Sequence, residues 1–304
     1  MAAFFRTTLL LAALTSLLLF AGWLMGGQQG VTTAFLFALA MNFGAWWFSD
    51  KMVLAHYRAQ EVDERTAPNL YGIVRELAAR ASLPMPKIYV ADSPQPNAFA
   101  TGRDPNHAAV CATTGLLSLL SHDEVMGVMA HELAHVRNRD TLTMTIAATV
   151  AGALGHLAHM GMWMGLRRDN RERPPLGGVG ILLVMVLGPI AAALIQFAIS
   201  RTREYEADRT GAVISGQPLA LASALNKLQQ GTARIPMPLA DANPATAHVF
   251  IANPLHGRGL QSLFATHPPM EERIRRLQAM ASQFPAMPAQ SAPAQSPFPQ
   301  GPWG

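Results

Sequence analysis

Read from the N-terminus, the apolar positions first form unbroken runs rather than a periodic face. From Thr7 to Ser49 there is no Asp, Glu, Lys or Arg, and the only interruption is Gly26-Gly27-Gln28-Gln29-Gly30. Two arms, 8–24 and 31–48, each approach the roughly 20 residues that cross a bilayer core as helix, so residues 1–48 are expected to form a transmembrane hairpin. Trp23 and Trp46-Trp47 stand at the arm ends, where an aromatic belt lies. A cleaved signal peptide has a shorter apolar core and no second span directly behind it. Two more uncharged runs, 141–166 and 174–200, flank the charged loop 167–173, which makes four expected spans. Residues 282–304 are Pro-rich and uncharged and are expected to be a disordered tail.

Between the runs the pattern becomes amphipathic. Leu70, Ile73, Val74, Leu77 and Ala81 recur at helical spacing over 67–82, with Thr66 as the expected cap. Leu83-Pro84-Met85-Pro86 ends that helix. Residues 87–91, 97–101 and 107–112 read as strands of a small sheet, the last two joined by the turn at 102–106. Ser121-x-x-Glu124 is a capping box opening a helix whose apolar face is Val125, Val128, Met129 and Leu133.

Composition narrows the class. The 304 residues are 50% apolar and only 14% charged, with a formal net charge of +4, against about 25% charged in average proteins. Lipid is therefore expected to solvate part of the chain, and no basic cluster is dense enough for nucleic acid. Four spans with a cytoplasmic N-terminus leave 49–140 and the C-terminal region in the cytoplasm. Lys51, Arg137, Arg139, Arg201 and Arg203 at the span ends agree with this, whereas the arginines of 167–173 do not. A single cysteine, Cys111, rules out an internal disulfide framework and a CxxC knuckle, so a metal site must use His and carboxylates. Cys111 itself reads as a buried apolar residue.

Within the capped helix lies His131-Glu132-Leu133-Ala134-His135. Two His at i and i+4 present ring nitrogens to one point, and the intervening Glu is placed beside a metal-bound water. A catalytic zinc needs a third protein ligand. After the fourth apolar run, Glu204 and Asp208 stand i, i+4 on an expected helix. Glu204 is the candidate third ligand and Asp208 the acceptor for a ligand imidazole's free N–H; without the His pair they would read as a solvated charged face. His156 and His159, one turn apart in the third run, read more simply as imidazoles near a span end than as a transport path. The segment from Pro236 to Leu255 reads as either a lid or a packed irregular stretch.

His131-Glu132-x-x-His135, Glu204-x-x-x-Asp208 after two further apolar segments, Asn97-Ala98-Phe99-Ala100-Thr101-Gly102, and Thr266-His267-Pro268-Pro269 before Glu272-Arg273-Ile274 together resemble the HtpX proteases, integral-membrane zinc endopeptidases related to the CAAX prenyl proteases. The likeness extends from the first span to about Leu277. It implies a mainly α membrane protein with four transmembrane helices and an α+β, zincin-like (gluzincin) catalytic domain carrying a small β-sheet. That domain would be split into 49–140 and 201–281 by the second transmembrane pair, 141–200. It also implies one Zn²⁺ per subunit on His131, His135 and Glu204, with Glu132 as general base and Asp208 behind a ligand His. Asn97, Ala98, Phe99, Ala100, Thr101 and Gly102 would be the strand edge that pairs with substrate. His267 would polarise the scissile carbonyl or brace the site, and Arg273 likewise. The implied role is cleavage of misfolded or damaged membrane proteins at the cytoplasmic face of the bacterial inner membrane, in quality control and stress response. A catalytically silent membrane pseudoprotease or substrate-binding module is the alternative, disfavoured because neither ligands nor base are missing.

Overall fold

The computed structural model describes residues 2–144, 146, 201–242, 249–254 and 268–283. The long helix α1 (Ala2–His56) cannot be straight. Asn42 Nδ2 donates to Thr15 Oγ1 at 2.8 Å across 27 residues of sequence, a separation of about 40 Å along a straight helix. The chain doubles back at Gly27, whose φ of 55° is open to glycine. Beside the turn the arms touch backbone to backbone, because a Cβ on Gly30 would collide with the Gly22 carbonyl. Phe20, Trp23, Phe35, Leu36, Phe43 and Trp47 are exposed along this doubled helix. Among the described residues, no helix is long and apolar enough to cross a membrane. The expected third and fourth spans lie outside the described residues beyond Ile146, as do His156, His159, loop 167–173 and the Pro-rich tail.

After α1 come β1 (Gln60–Val62), α2 (Pro68–Ala81), β2 (Lys87–Ala91), β3 (Ala98–Gly102), β4 (Ala108–Thr113), α3 (Thr114–Leu119) and α4 (His122–Asn138). The second half supplies α5 (Arg201–Ser215), α6 (Pro218–Arg234), α7 (Pro238–Ala242) and α8 (Met270–Ala281). The chain is mainly helical with one small mixed sheet, ordered β1-β2-β4-β3. β2 and β4 run parallel, while β1 and β3 pair antiparallel at the two edges. The short β1 carries no clear alternation, so the sequence pattern does not predict it. Thr66 does not cap α2. It closes a turn with Asp63 instead, and Pro68 at the helix start has no N–H to satisfy.

Both faces of the sheet are covered, and side chains sort between them with period two. Ile88, Val90, Ala98, Ala100, Val110 and Ala112 join the core against the helices, with Leu77, Met129 and Leu133. Ala91, Phe99, Ala109 and Cys111 face a second cluster with Val53, Tyr57 and Phe250. Burial pushes the Cys111 thiol well above its usual range, leaving it protonated and inert.

Candidate active site

α4 is the platform of the site. Its start is fixed by both hydrogen bonds of the capping box, Ser121 N–H to Glu124 Oε2 at 2.8 Å and Glu124 N–H to Ser121 Oγ at 3.4 Å. Glu124 also accepts from Ser223 Oγ and Lys227 Nζ, each at 2.7 Å, tying α4 to α6. The helix stops at Arg139, which takes a left-handed φ of 60°, and Asp140 N–H returns to the His135 carbonyl at 3.0 Å.

The spacing of His131 and His135 puts both rings on one buried face, with Nε2 atoms 3.2 Å apart. α5 crosses at this level because Gly211 has no side chain. A Cβ there would stand 2.8 Å from the His131 backbone nitrogen. That close approach delivers Glu204, whose Oε2 lies 3.7 Å from His131 Nε2 and whose Oε1 lies 3.5 Å from His135 Nε2. Bonds of about 2.0–2.1 Å to a tetrahedral zinc separate the ligand atoms by about 3.3–3.4 Å. The three side chains converge toward that spacing, one ligand atom of each within 4.8 Å of the others, and among the described residues they form the one such metal-capable group.

The rest of the site holds these ligands in place. His131 Nδ1 lies 3.0 Å from Asp208 Oδ1, which assigns the ring proton to Nδ1 and leaves the Nε2 lone pair free. Burial holds His131 toward its neutral form against the pull of Asp208. Arg273 of α8, fully buried, is bidentate to Asp208 and donates from Nη1 to the Ile251 carbonyl at 3.0 Å. Burial alone would raise the Asp208 carboxyl, but Arg273 and His131 together hold it below the usual carboxylate range. Arg273 Nη1 also stands 3.6 Å from Glu204 Oε2, so one buried cation balances two buried carboxylates. Asp140 faces His135, with Oδ2 at 3.7 Å from Nδ1.

Glu132 is buried between this cluster and β3, and its Oε1 has no hydrogen-bond partner among the described residues. Burial pushes its carboxyl up to about 8, the charge of Glu204 adds to this, and His135, Arg273 and the Ala100 backbone oppose it. An unpartnered buried carboxylate oxygen suits a group that receives a proton from a substrate or water.

The structure brings together His131, Glu132, His135, Glu204 and Asp208. Ala98, Phe99, Ala100, Thr101 and Gly102 form the edge strand β3, and Asn97 precedes it. His267 lies outside the described residues. The spacing of residues does not single out Asp140, since its relation to His135 depends on the left-handed turn at Arg139. Nor did the sequence reveal that 249–252 lies along β3.

Peptidase family M48 matches residues 64–281 of the chain. Two relatives named "Protease HtpX homolog" cover 91% of this chain and 96% of their own length: one from Burkholderia multivorans at 59% identity over 278 residues, one from Burkholderia cenocepacia at 58% over 277. The crystal structure of Ste24p from S. mikatae shares the fold at a TM-score of 0.51 and 18% identity, across 86% of this chain and 62% of that one. The chain is therefore a metalloprotease of peptidase family M48 and a homologue of the HtpX proteases.

Proposed function

We propose that the chain is a zinc-dependent endopeptidase of the bacterial inner membrane that cuts misfolded or damaged membrane proteins at the cytoplasmic face. The observation that carries the reading is the convergence of His131, His135 and Glu204, one ligand atom of each within 4.8 Å of the others, with the buried Glu132 beside them. Two imidazoles and one carboxylate are a catalytic zinc donor set, with a position left for water or substrate. Bound there, zinc supplies a Lewis acid that polarises a peptide carbonyl and acidifies water toward neutral pH. Glu132 takes the water proton and passes it to the departing amine, so no covalent enzyme intermediate is required. Asp208 and Arg273 keep the His131 ring in register throughout.

The membrane reading is supported by the charge-free stretch 7–49 of the doubled helix, with its exposed Phe, Trp and Leu side chains. A joint between that helix and the catalytic core adds to it: Arg103, directly after β3, stacks over the Trp47 ring at 4.6 Å, and Val53, Leu54 and Tyr57 enter the cluster beneath β3. A bilayer around α1 would lie close to the site, and bilayer proteins would be its nearest substrates. The extension of β3 by a substrate backbone belongs to the same proposal.

The test is cleavage of an unfolded model protein by the detergent-purified chain, with Glu132→Gln and chelator-treated samples alongside. Cutting that requires Glu132 and returns with zinc supports the reading. Bound zinc without cutting in any sample would overturn it in favour of a pseudoprotease.

A further inference from the structure

The outer edge of β3 is already taken by the chain itself. Thr113 N–H donates to the Asn97 carbonyl at 2.9 Å, and the alternation of an antiparallel ladder then turns the backbone groups of Ala98, Ala100 and Gly102 outward. Ile251 N–H donates to the Ala98 carbonyl at 3.0 Å. Phe250 forms an antiparallel bridge with Phe99, and Thr141 Oγ1 donates to the Gly102 carbonyl at 2.9 Å. Asn97 clamps the same segment with its side chain, Nδ2 donating to the Ala252 carbonyl at 2.7 Å and Oδ1 accepting Ala252 N–H at 3.2 Å. Residues 249–252 lie where a strand adding to β3 would lie.

The side chains show what this position accepts. Residues directly opposed in an antiparallel pair share one face, so Phe250 follows Phe99 to the side away from the metal ligands. Their ring centroids are 5.3 Å apart, and Tyr57 packs at 5.7 Å from Phe99 and 4.8 Å from Phe250. A cavity of about 200 Å³ continues this aromatic berth, lined by Tyr57, Ala91, Phe99, Met237, Leu239 and Phe250. Alternate positions of the same strand, beside Ala98 and Ala100, face α4 and Glu132.

We propose that residues 249–252 are an internal stand-in for substrate: an incoming strand displaces them from β3 and lays one aromatic or large aliphatic side chain in the berth of Phe250. The inference rests on the endopeptidase reading and adds a specificity pocket to it. Exchanging one paired backbone for another changes few hydrogen bonds, so discrimination falls on the side chain that fills the apolar berth. The closed segment also weakens apparent binding, by the reciprocal of the fraction of molecules in which it is unseated.

Binding and cutting can be tested separately with the full chain in detergent, zinc-loaded and carrying Glu132→Gln. The probe is a fluorescent unstructured peptide with Phe at its centre, and copies with Leu, Ala or Asp there. The Phe and Leu copies are expected to bind roughly tenfold more tightly than the others. Saturation with the Phe copy should speed amide exchange at Ile251 and Ala252. Adding Phe250→Ala should tighten binding several-fold, while Phe250→Leu stays near the parent. Equal binding of all four peptides, no binding of any, or unchanged protection at Ile251 in the saturated protein would each overturn the proposal. Selective binding with exchange at Ile251, but no zinc-dependent cutting by the chain with Glu132 intact, would uphold the pocket and defeat the endopeptidase reading instead.

Discussion

Arg273 donates to both carboxylate oxygens of Asp208, from Nε at 2.8 Å and from Nη2 at 2.7 Å, with the guanidinium wholly buried. The pair joins the last described helix to the one carrying Glu204, behind the His131 ring. Removing the cation strands Asp208 and Glu204 as buried charges, a loss of about 3–5 kcal/mol for broken pairs of this kind. Arg273→Met is expected to lower the thermal midpoint and zinc affinity together. Arg273→Lys should recover only part of either, since an ammonium cannot match the two-pronged contact.

Glu132→Gln keeps the size and burial of the side chain but removes the base. Zinc content should stay near one per chain, and turnover should fall by about 10²–10⁴-fold. Metal analysis beside a cleavage assay reads both, and retained turnover would remove Glu132 from the mechanism.

Asp140→Asn probes the contact behind His135. Loss of a carboxylate partner of a ligand imidazole costs about 10–100-fold in metal affinity, read by competition with a chromophoric chelator. Unchanged affinity would leave Asp140 as part of the helix end alone.

Gly211→Val places a branched side chain against the backbone of His131. α5 must move away from α4, carrying Glu204 out of reach of the imidazoles. The expected outcome is a helical protein by circular dichroism that no longer retains zinc.

Glu124 gives a pH dependence with a definite sign. Burial opposes its ionisation, but hydrogen bonds from Lys227, the Ser121 backbone and Ser223 outweigh that, holding the carboxyl below its ordinary value of 4.5. A carboxyl depressed by folding stabilises the fold above the unfolded value, and the stabilisation is lost as pH falls through the folded one. Glu124→Ala should therefore lower the unfolding midpoint at neutral pH by an amount that shrinks on acidification below about 4. Equal losses at pH 7 and pH 3.5 would show that Glu124 acts through packing alone.

Local rules made much of this molecule readable. The i, i+4 spacing alone puts His131 and His135 on one face of α4, and the capping box alone starts that helix, because both depend on atoms within a single turn. The charge-free stretch with glycines at its middle sets up the doubled α1, since the turn at Gly27 and the close arms at Gly22 and Gly30 are backbone requirements. The third ligand lies 69 residues beyond His135 in the sequence, and the i, i+4 carboxylates could nominate it but not place it. Tertiary structure decided that Glu204 reaches the imidazoles, through the absent side chain of Gly211, and that Arg273 rather than solvent neutralises the acids. It also turned Asp140 toward His135 and seated Phe250 on β3. Each of these is a meeting of residues distant along the chain or redirected by a left-handed turn, and spacing within one element carries no information about them.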